Sequence, residues 1–303
     1  LIAKNLEKLE SGEIKRLAVF MPPRHGKSML CSEFFPAWYL GNNPNEFVIQ
    51  STYAQELADD FGRKVRNQVQ GEDFNKVFPQ VGLRSDSTSA KRFHTIHGGT
   101  YSAVGAGGSI TGRGAHLLII DDPIKGREDA ESEVQRRNLL EWYKSVAYTR
   151  LQPGGKIIVI QTRWHQDDLA GYILNESGED WKVLDLPAID DKGNALWPEA
   201  YSKNDLEKIQ NTVGQRVWQA LYQQRPSNEE GSIIKRDWWN LYESDKIPTL
   251  GYVVQSYDTA FSTKSSADFS ACTTWGVFTA RDENNVAYPA CILLDAWKER
   301  LEY

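Results

Sequence analysis

Cysteine is scarce in this chain and follows no recognisable pattern. The 303 residues include three cysteines, Cys31, Cys272 and Cys291, which are widely spaced and odd in number. Their spacing fits neither a zinc site nor a disulfide framework, so a reducing cytosol suits the sequence best.

Long apolar runs and an excess of positive charge are also missing. No stretch approaches the roughly 20 apolar residues of a membrane span, there is no signal peptide, and we expect no membrane partner. A net charge of −6 excludes a global basic field, so any contact with nucleic acid must be a local basic patch. The length allows two domains, and because the chain begins with Leu1 we expect it to be a piece of a longer protein.

The chain does contain a glycine–lysine–serine sequence between an apolar run and a helical pattern. Leu17–Phe20 predicts a buried strand, and Met29–Phe34 predicts the start of a helix. Between them, Gly26, Lys27 and Ser28 match the end of a Walker A phosphate loop. Glycine lets backbone N–H groups approach phosphate oxygens, the lysine charge suits the β- and γ-phosphates, and the serine hydroxyl suits Mg²⁺.

The loop departs from the usual pattern at one position, where Met21 replaces the first glycine of the motif. A chance match at a helix N-terminus is the alternative, but the strand–turn–helix context favours a phosphate loop. The predicted nucleotide-binding residues of the loop are Pro23, Arg24, His25, Gly26, Lys27 and Ser28.

A second apolar run ends in two carboxylates. Leu117–Ile120 predicts a buried parallel strand, and Asp121 and Asp122 follow it directly. We expect Asp121 to hold Mg²⁺ together with Ser28, and Asp122 to act as the general base for an attacking water. A solvated acidic turn would explain this motif alone, but it would not explain both motifs in this order.

Strand and helix patterns alternate through the first part of the chain. This alternation predicts a P-loop NTPase fold of the α/β class, a parallel sheet with helices on both faces. The helical patterns cover Glu128 to Tyr148 and residues 1–16, where Ser11 and Gly12 end the helix. After a further strand, Thr162 and Arg163 fall at the ligand-binding edge of the sheet, where we expect them to sense the γ-phosphate.

Two basic features remain open to more than one interpretation. Residues 105–114 are rich in glycine and carry Arg113 as their only charge, so they form either a flexible linker or a loop that a ligand approaches closely. Arg63, Lys64 and Arg66 share one helix face, which is either simply solvated or contacts DNA or a neighbouring subunit's nucleotide.

The sequence predicts an ATPase domain over residues 1–225, a linker over 226–250 and a second domain over 251–303. In the second domain a strand ends in Asp258, and Asp268 follows a polar turn. Two carboxylates at a strand edge suit Mg²⁺ or Mn²⁺ better than zinc.

Taken together, these motifs resemble the large terminase subunit of tailed bacteriophages and prophages. The matching segments are Pro22–Ser28, Ile110–Gly114, Leu117–Pro123, Gln161–His165, Asp167–Leu169, Tyr222–Pro226, Tyr257–Ala260 and Asp268. The resemblance implies an ATPase that drives double-stranded DNA into a procapsid, followed by an RNase H-like nuclease that cuts concatemeric DNA. It also implies a portal protein, a small terminase subunit and a homo-oligomeric ring as partners, in the cytoplasm of an infected or lysogenic bacterial host.

The resemblance also assigns roles to individual residues. It implies that Arg24 takes part in ATP hydrolysis and that Thr162 and Arg163 couple hydrolysis to movement. It makes Asp258 the first catalytic and metal-binding carboxylate of the nuclease, with Asp268 as an auxiliary metal ligand. The remaining nuclease carboxylates of the family lie beyond the last residue of this sequence, so we expect this chain to hydrolyse ATP without cutting DNA.

Two other functions fit parts of the pattern. One is a helicase-like or remodelling DNA-dependent ATPase, and the paired carboxylates beyond the linker argue against it. The other is a nucleotide-dependent structural switch without fast turnover, and Arg24 and Asp122 argue against that.

Overall fold

The structure is a computed structural model that describes residues 1–108, 110, 112–227, 242, 247–259, 270–282 and 284–299. The chain divides into two compact units, Leu1–Ile233 and Ile234–Tyr303. The division falls inside the stretch that the sequence predicts as a linker.

The first unit is built on an eight-stranded sheet. Its strands are β1 Arg16–Phe20, β2 Phe47–Thr52, β3 Leu83–Thr88, β4 Arg92–Thr95, β5 Thr100–Gly105, β6 Ala115–Asp121, β7 Leu151–Gln161 and β8 Lys182–Asp185, in the order β3-β4-β5-β2-β6-β7-β1-β8. The six strands β5, β2, β6, β7, β1 and β8 run parallel to one another. Strands β4 and β3 extend one edge in antiparallel pairs, and β4 with β5 forms a hairpin.

Helices cover both faces of this sheet, which confirms the predicted fold class. They are α1 Ile2–Glu10, α2 Phe35–Asn42, α3 Gln55–Val69, α4 Glu72–Val77, α5 Arg127–Glu131, α6 Glu133–Trp142, α7 Leu169–Asn175 and α8 Lys203–Val217. Short π-helical segments lie at Met29–Phe34, Tyr143–Ala147 and Trp218–Tyr222, and a 3₁₀ turn lies at Tyr148–Arg150.

Side-chain alternation along the parallel strands produces two cores. Leu117 and Ile119 pack under α1, α2 and α3, whereas Leu118 and Ile120 pack under α6 and α7 on the other face. A strand segment buried on both faces must be apolar throughout, which is why Leu117–Ile120 in β6 is an uninterrupted apolar run.

One predicted helix end is confirmed and another was wrong. The first helix ends at Glu10, as Ser11 and Gly12 predict, because Gly12 has a φ of 80° and starts the turn into β1. The helix predicted from Glu128 to Tyr148 is broken at Ser132, whose hydroxyl accepts a hydrogen bond from the Gln135 N–H and caps α6. Val134, in the first turn of α6, is 53% exposed.

The second unit contains a three-stranded antiparallel sheet. Its strands are β9 Tyr252–Asp258, β10 Ser270–Arg281 and β11 Ala287–Glu299, with β10 in the centre. Every residue of β9 is exposed.

Candidate active site

The loop between β1 and the first π-helical segment lies at the carboxyl edge of the parallel strands. Its backbone turns through left-handed conformations at Arg24, with a φ of 61°, and at Gly26, with a φ of 88°. Met21, where a glycine was expected, is a buried member of the core instead. The tight turn of the loop therefore falls later than the motif suggests, at Arg24 and Gly26. Arg24 adopts the left-handed conformation although it is not a glycine.

Lys27 extends from this loop toward the end of β6. Its Nζ lies 2.9 Å from Asp122 Oδ2, and its side chain is 7% exposed. Strand β7 lies between β1 and β6, so this ion pair spans the tip of the intervening strand. A buried lysine held at a strand edge in this way presents a fixed positive charge to a phosphate group.

Asp121 is the last residue of β6, and it is buried beneath the loop. Its Oδ1 accepts a hydrogen bond of 3.1 Å from the Ser28 hydroxyl, and its Oδ2 accepts one of 2.6 Å from Ser32. Burial, followed by repulsion from Asp122, raises the pKa of Asp121 to about 7, although both hydroxyls and Lys27 oppose the rise. Such a carboxylate favours the arrival of a cation, which would replace the missing solvation.

Asp122 is held in a strained conformation at the cavity wall. It has a φ of 40°, and its N–H donates to the Ile160 carbonyl at 2.8 Å. The Thr162 N–H donates to its Oδ1 at 2.7 Å, which leaves Oδ2 to face Lys27. Strain of this kind persists where the surroundings hold it, often at a functional position.

These groups surround a cavity of about 480 Å³. It is lined by Pro23, Arg24, Gly26, Lys27, Ser28, Met29, Tyr53, Asp122, Ile124, Lys125, Thr162 and Trp164. The structure thus brings together most of the predicted ATP-site residues, with Asp121 directly behind the wall.

His25 does not point into this cavity, contrary to the expectation that its side chain binds nucleotide. Its ring stacks on Tyr201 at 4.5 Å between centroids, and Nδ1 lies 2.8 Å from the Pro23 carbonyl oxygen. Burial is the main reason that the pKa of His25 is lowered, so the ring stays neutral and apolar in character. It supports the loop from behind.

Arg163 also departs from its predicted place, because its side chain is engaged elsewhere. Its Nε lies 3.1 Å from Asp168 Oδ2, its guanidinium lies over the Phe20 ring, and its N–H donates to Gln224 Oε1. Asp168 in turn accepts a hydrogen bond from the Gly171 N–H and caps α7. The expectation that Arg163 contacts the γ-phosphate is therefore corrected: this arginine ties β7 to α7 and does not line the cavity.

Sequence reasoning missed several residues around the site. Among them, Tyr53 and Lys125 line the cavity, Ser32 donates to Asp121, and Tyr201 stacks on His25. Of these, only Ser32 could have been predicted from the sequence, because it lies one helical turn beyond Ser28 and so on the same side of the helix.

The other arginines considered at this site lie away from it in the same chain. Arg113 precedes β6 and lines a small cavity of about 130 Å³ with Phe47 and Thr100, where β2 and β5 begin. This is the amino edge of the sheet, opposite the phosphate loop. Arg63 pairs with Asp60, and Arg66 donates to the Thr88 carbonyl.

The predicted nuclease carboxylates are only partly described. Asp258 ends β9, is exposed, and pairs in register with Ala271. Asp268 lies outside the described residues. Within the described ranges, no group of three potential metal ligands occurs, and no helix is long and apolar enough to cross a membrane.

The fold and the loop geometry define an α/β protein of the phosphate-loop class. The sequence profile described as "Terminase large subunit, T4likevirus-type, N-terminal" matches residues 19–241. The chain therefore belongs to the large terminase subunit family of phages. A comparison with curated protein sequences gives no match.

Solved structures of phage proteins resemble this chain at low sequence identity. The chain is similar to a mutant of the large terminase ATPase domain from Thermus phage P74-26, with a TM-score of 0.50 and 12% identity over 70% of this chain and 89% of that one, which supports the fold. It is also similar to the large terminase of a thermophilic bacteriophage in complex with ADP, with a TM-score of 0.43 and 12% identity over 95% of this chain and 68% of that one.

Proposed function

We propose that this chain is the ATP-hydrolysing motor part of a large terminase subunit, which packages viral DNA. The observation that carries the proposal is the convergence of Lys27, Ser28, Asp121 and Asp122 at one cavity from two separate strands. This set holds phosphate, a divalent cation and an attacking water in P-loop ATPases.

The phosphates of ATP would lie against the loop. Backbone N–H groups around Gly26 would face the phosphate oxygens, Lys27 would neutralise the β- and γ-phosphates, and exposed Arg24 adds a second charge at the cavity. Because Lys27 pairs with Asp122 at 2.9 Å, a bound phosphate would compete for the lysine and free the carboxylate.

The donor set fits Mg²⁺. The Ser28 hydroxyl and Asp121 carboxylate already lie 3.1 Å apart, and both offer the oxygen ligands that this ion prefers. Bound there, Mg²⁺ would neutralise charge on the β- and γ-phosphates. Ser32 keeps the second oxygen of Asp121 turned into the protein.

Asp122 is the proposed general base. The water oxygen forms a bond to the γ-phosphorus while the bond to the β–γ bridging oxygen breaks, and ADP leaves with that electron pair. Asp122 takes the water proton, since the Thr162 N–H fixes its Oδ1 and leaves Oδ2 exposed to the cavity. Asp122 is shorter than glutamate and must therefore lie close to the water.

The energy of this reaction would move double-stranded DNA into a procapsid in the cytoplasm of a bacterial host. A ring of subunits docked on a portal protein, with a small terminase subunit supplying DNA, is the assembly that family membership suggests. The position of Arg113 at the opposite edge from the phosphate loop supports a role in a neighbouring subunit's site.

The second unit is proposed to begin an RNase H-like nuclease. Asp258 at the end of β9 and Asp268 would be its first Mg²⁺ or Mn²⁺ ligands. Two carboxylates make a weak site, because two-metal cleavage needs further ligands to hold the ions about 4 Å apart.

DNA-stimulated ATP hydrolysis tests the motor. Lys27→Ala should abolish it in a folded protein, whereas Lys76→Ala, on a lysine 70% exposed on α4, should leave it unchanged. Wild-type turnover in folded Lys27→Ala would overturn the site. Turnover that DNA does not stimulate would favour a switch, and DNA unwinding without packaging would favour a helicase.

A further inference from the structure

A second cavity adjoins the phosphate-loop cavity. It has a volume of about 620 Å³ and lies between α3 and α6. The two cavities share Tyr53, Ile124 and Lys125 as a common wall. None of these three residues belongs to the phosphate loop, and no loop residue lines the second cavity.

This common wall marks the γ-phosphate end of the site. The loop residues line one side of the first cavity, and Asp122, the proposed base, lies three residues before Lys125. The transferred phosphate must lie beside the base that activates its water. A group on the wall beyond Asp122 therefore meets the terminal phosphate before any other part of the nucleotide.

Lys125 is the cation on that wall. It is exposed, and in the described ranges no hydrogen bond or ion pair engages its ammonium group. Lys27, by contrast, is already paired with Asp122 at 2.9 Å. A lysine on a flexible four-carbon stem can swing toward whichever cavity holds negative charge.

The second cavity carries negative charge of its own. Glu56, Asp60 and Asp129 line it, and Asp60 pairs with Arg63. Glu56 and Asp129 therefore remain as carboxylates that share this cavity with the Lys125 ammonium group. A terminal phosphate, with about two negative charges, would draw that group toward the first cavity.

We propose that Lys125 contacts the γ-phosphate and makes the site prefer a nucleoside triphosphate over a diphosphate. The proposal deepens the proposed ATPase function and rests on it. Lys125 donates to a γ-phosphate oxygen, an interaction that ADP cannot accept, so its contribution is specific to the triphosphate state.

The test compares the affinities of ATPγS and ADP, each with Mg²⁺, for wild type, Lys125→Ala and Lys125→Arg by calorimetry. One charge-assisted hydrogen bond corresponds to a loss of roughly 10- to 100-fold. Lys125→Ala should lose that much affinity for ATPγS and less than about twofold for ADP, and Lys125→Arg should recover part of the loss. Lys182→Ala, on an exposed lysine of β8, is the matched control.

Three outcomes overturn the proposal. Unchanged ATPγS affinity in Lys125→Ala would mean that the lysine only solvates the acidic cavity. Equal losses for both nucleotides would make it a general phosphate-attracting charge. Failure of wild type to bind either nucleotide would remove the proposed function itself, and this result is distinct from the other two.

Discussion

Replacing Asp121 by asparagine should make the ligand-free protein more stable while disabling its function. The carboxyl is buried, and its pKa rises from an ordinary 3.8 to about 7. A shift of this size corresponds to roughly 4 kcal/mol of unfavourable free energy at pH 8. Asparagine removes the unfavourable free energy of the buried carboxylate charge. Its amide group, however, disturbs the hydrogen bond from Ser32 at a cost of about 1–2 kcal/mol.

The net expectation is a gain of about 2–3 kcal/mol in the free energy of unfolding at pH 8. Because the pKa of Asp121 is higher in the folded than in the unfolded protein, wild type loses stability as pH rises from about 4 to about 7. The Asp121→Asn variant has no carboxyl group at this position, so it does not lose this stability as the pH rises. Below about pH 4 the carboxyl is protonated in both states, so the advantage of the mutant disappears.

Urea denaturation at pH 4, 6 and 8, without Mg²⁺ or nucleotide, measures this difference. Asp73→Asn, on a carboxylate whose side chain is 98% exposed, should show no comparable effect. Adding Mg²⁺ and ATPγS should make wild type the more stable protein, since ligand at 1,000 times its Kd stabilises it by about 4.1 kcal/mol and the mutant binds the ligand poorly. A mutant less stable than wild type at pH 8, or a gain independent of pH, would refute the reasoning.

Four further outcomes are expected. Asp122→Asn should retain nucleotide binding and lose at least about 100-fold in turnover, measured by phosphate release; normal hydrolysis would place the base elsewhere. Asp168→Ala should lower the free energy of unfolding by about 3–5 kcal/mol, because the Arg163 guanidinium stays buried without its partner; a loss below about 1 kcal/mol in urea would contradict this. Arg113→Ala should reduce turnover by roughly 10³-fold or more and regain part of it when mixed with chains lacking the phosphate-loop lysine; no regain in any mixture would exclude action between subunits. Asp258→Ala should remove metal-dependent DNA cleavage from a chain that carries the complete nuclease while ATP hydrolysis continues, and residues 1–303 alone should not cut DNA.

The order of motifs along the chain was sufficient to predict the fold class. Apolar runs such as Leu117–Ile120 can only be satisfied by burial on both faces, which requires a parallel sheet between helices. Gly26, Lys27 and Asp122 were also readable, because a phosphate loop and an acidic strand end must meet at the carboxyl edge. Helix ends were less readable, since the break at Ser132 depends on a local cap that competes with an otherwise helical pattern.

Tertiary structure alone decided which way the remaining polar side chains point. His25 lies in the loop but turns to stack on Tyr201, and Arg163 follows the right strand but turns to Asp168. Tyr201 is remote in sequence from His25, whereas Asp168 lies five residues beyond Arg163 and caps the next helix, and burial directs each polar group toward the partner that satisfies it. The sequence by itself therefore determined which strands and loops form the site, whereas side-chain packing and local capping in the folded chain decided which side chains enter it.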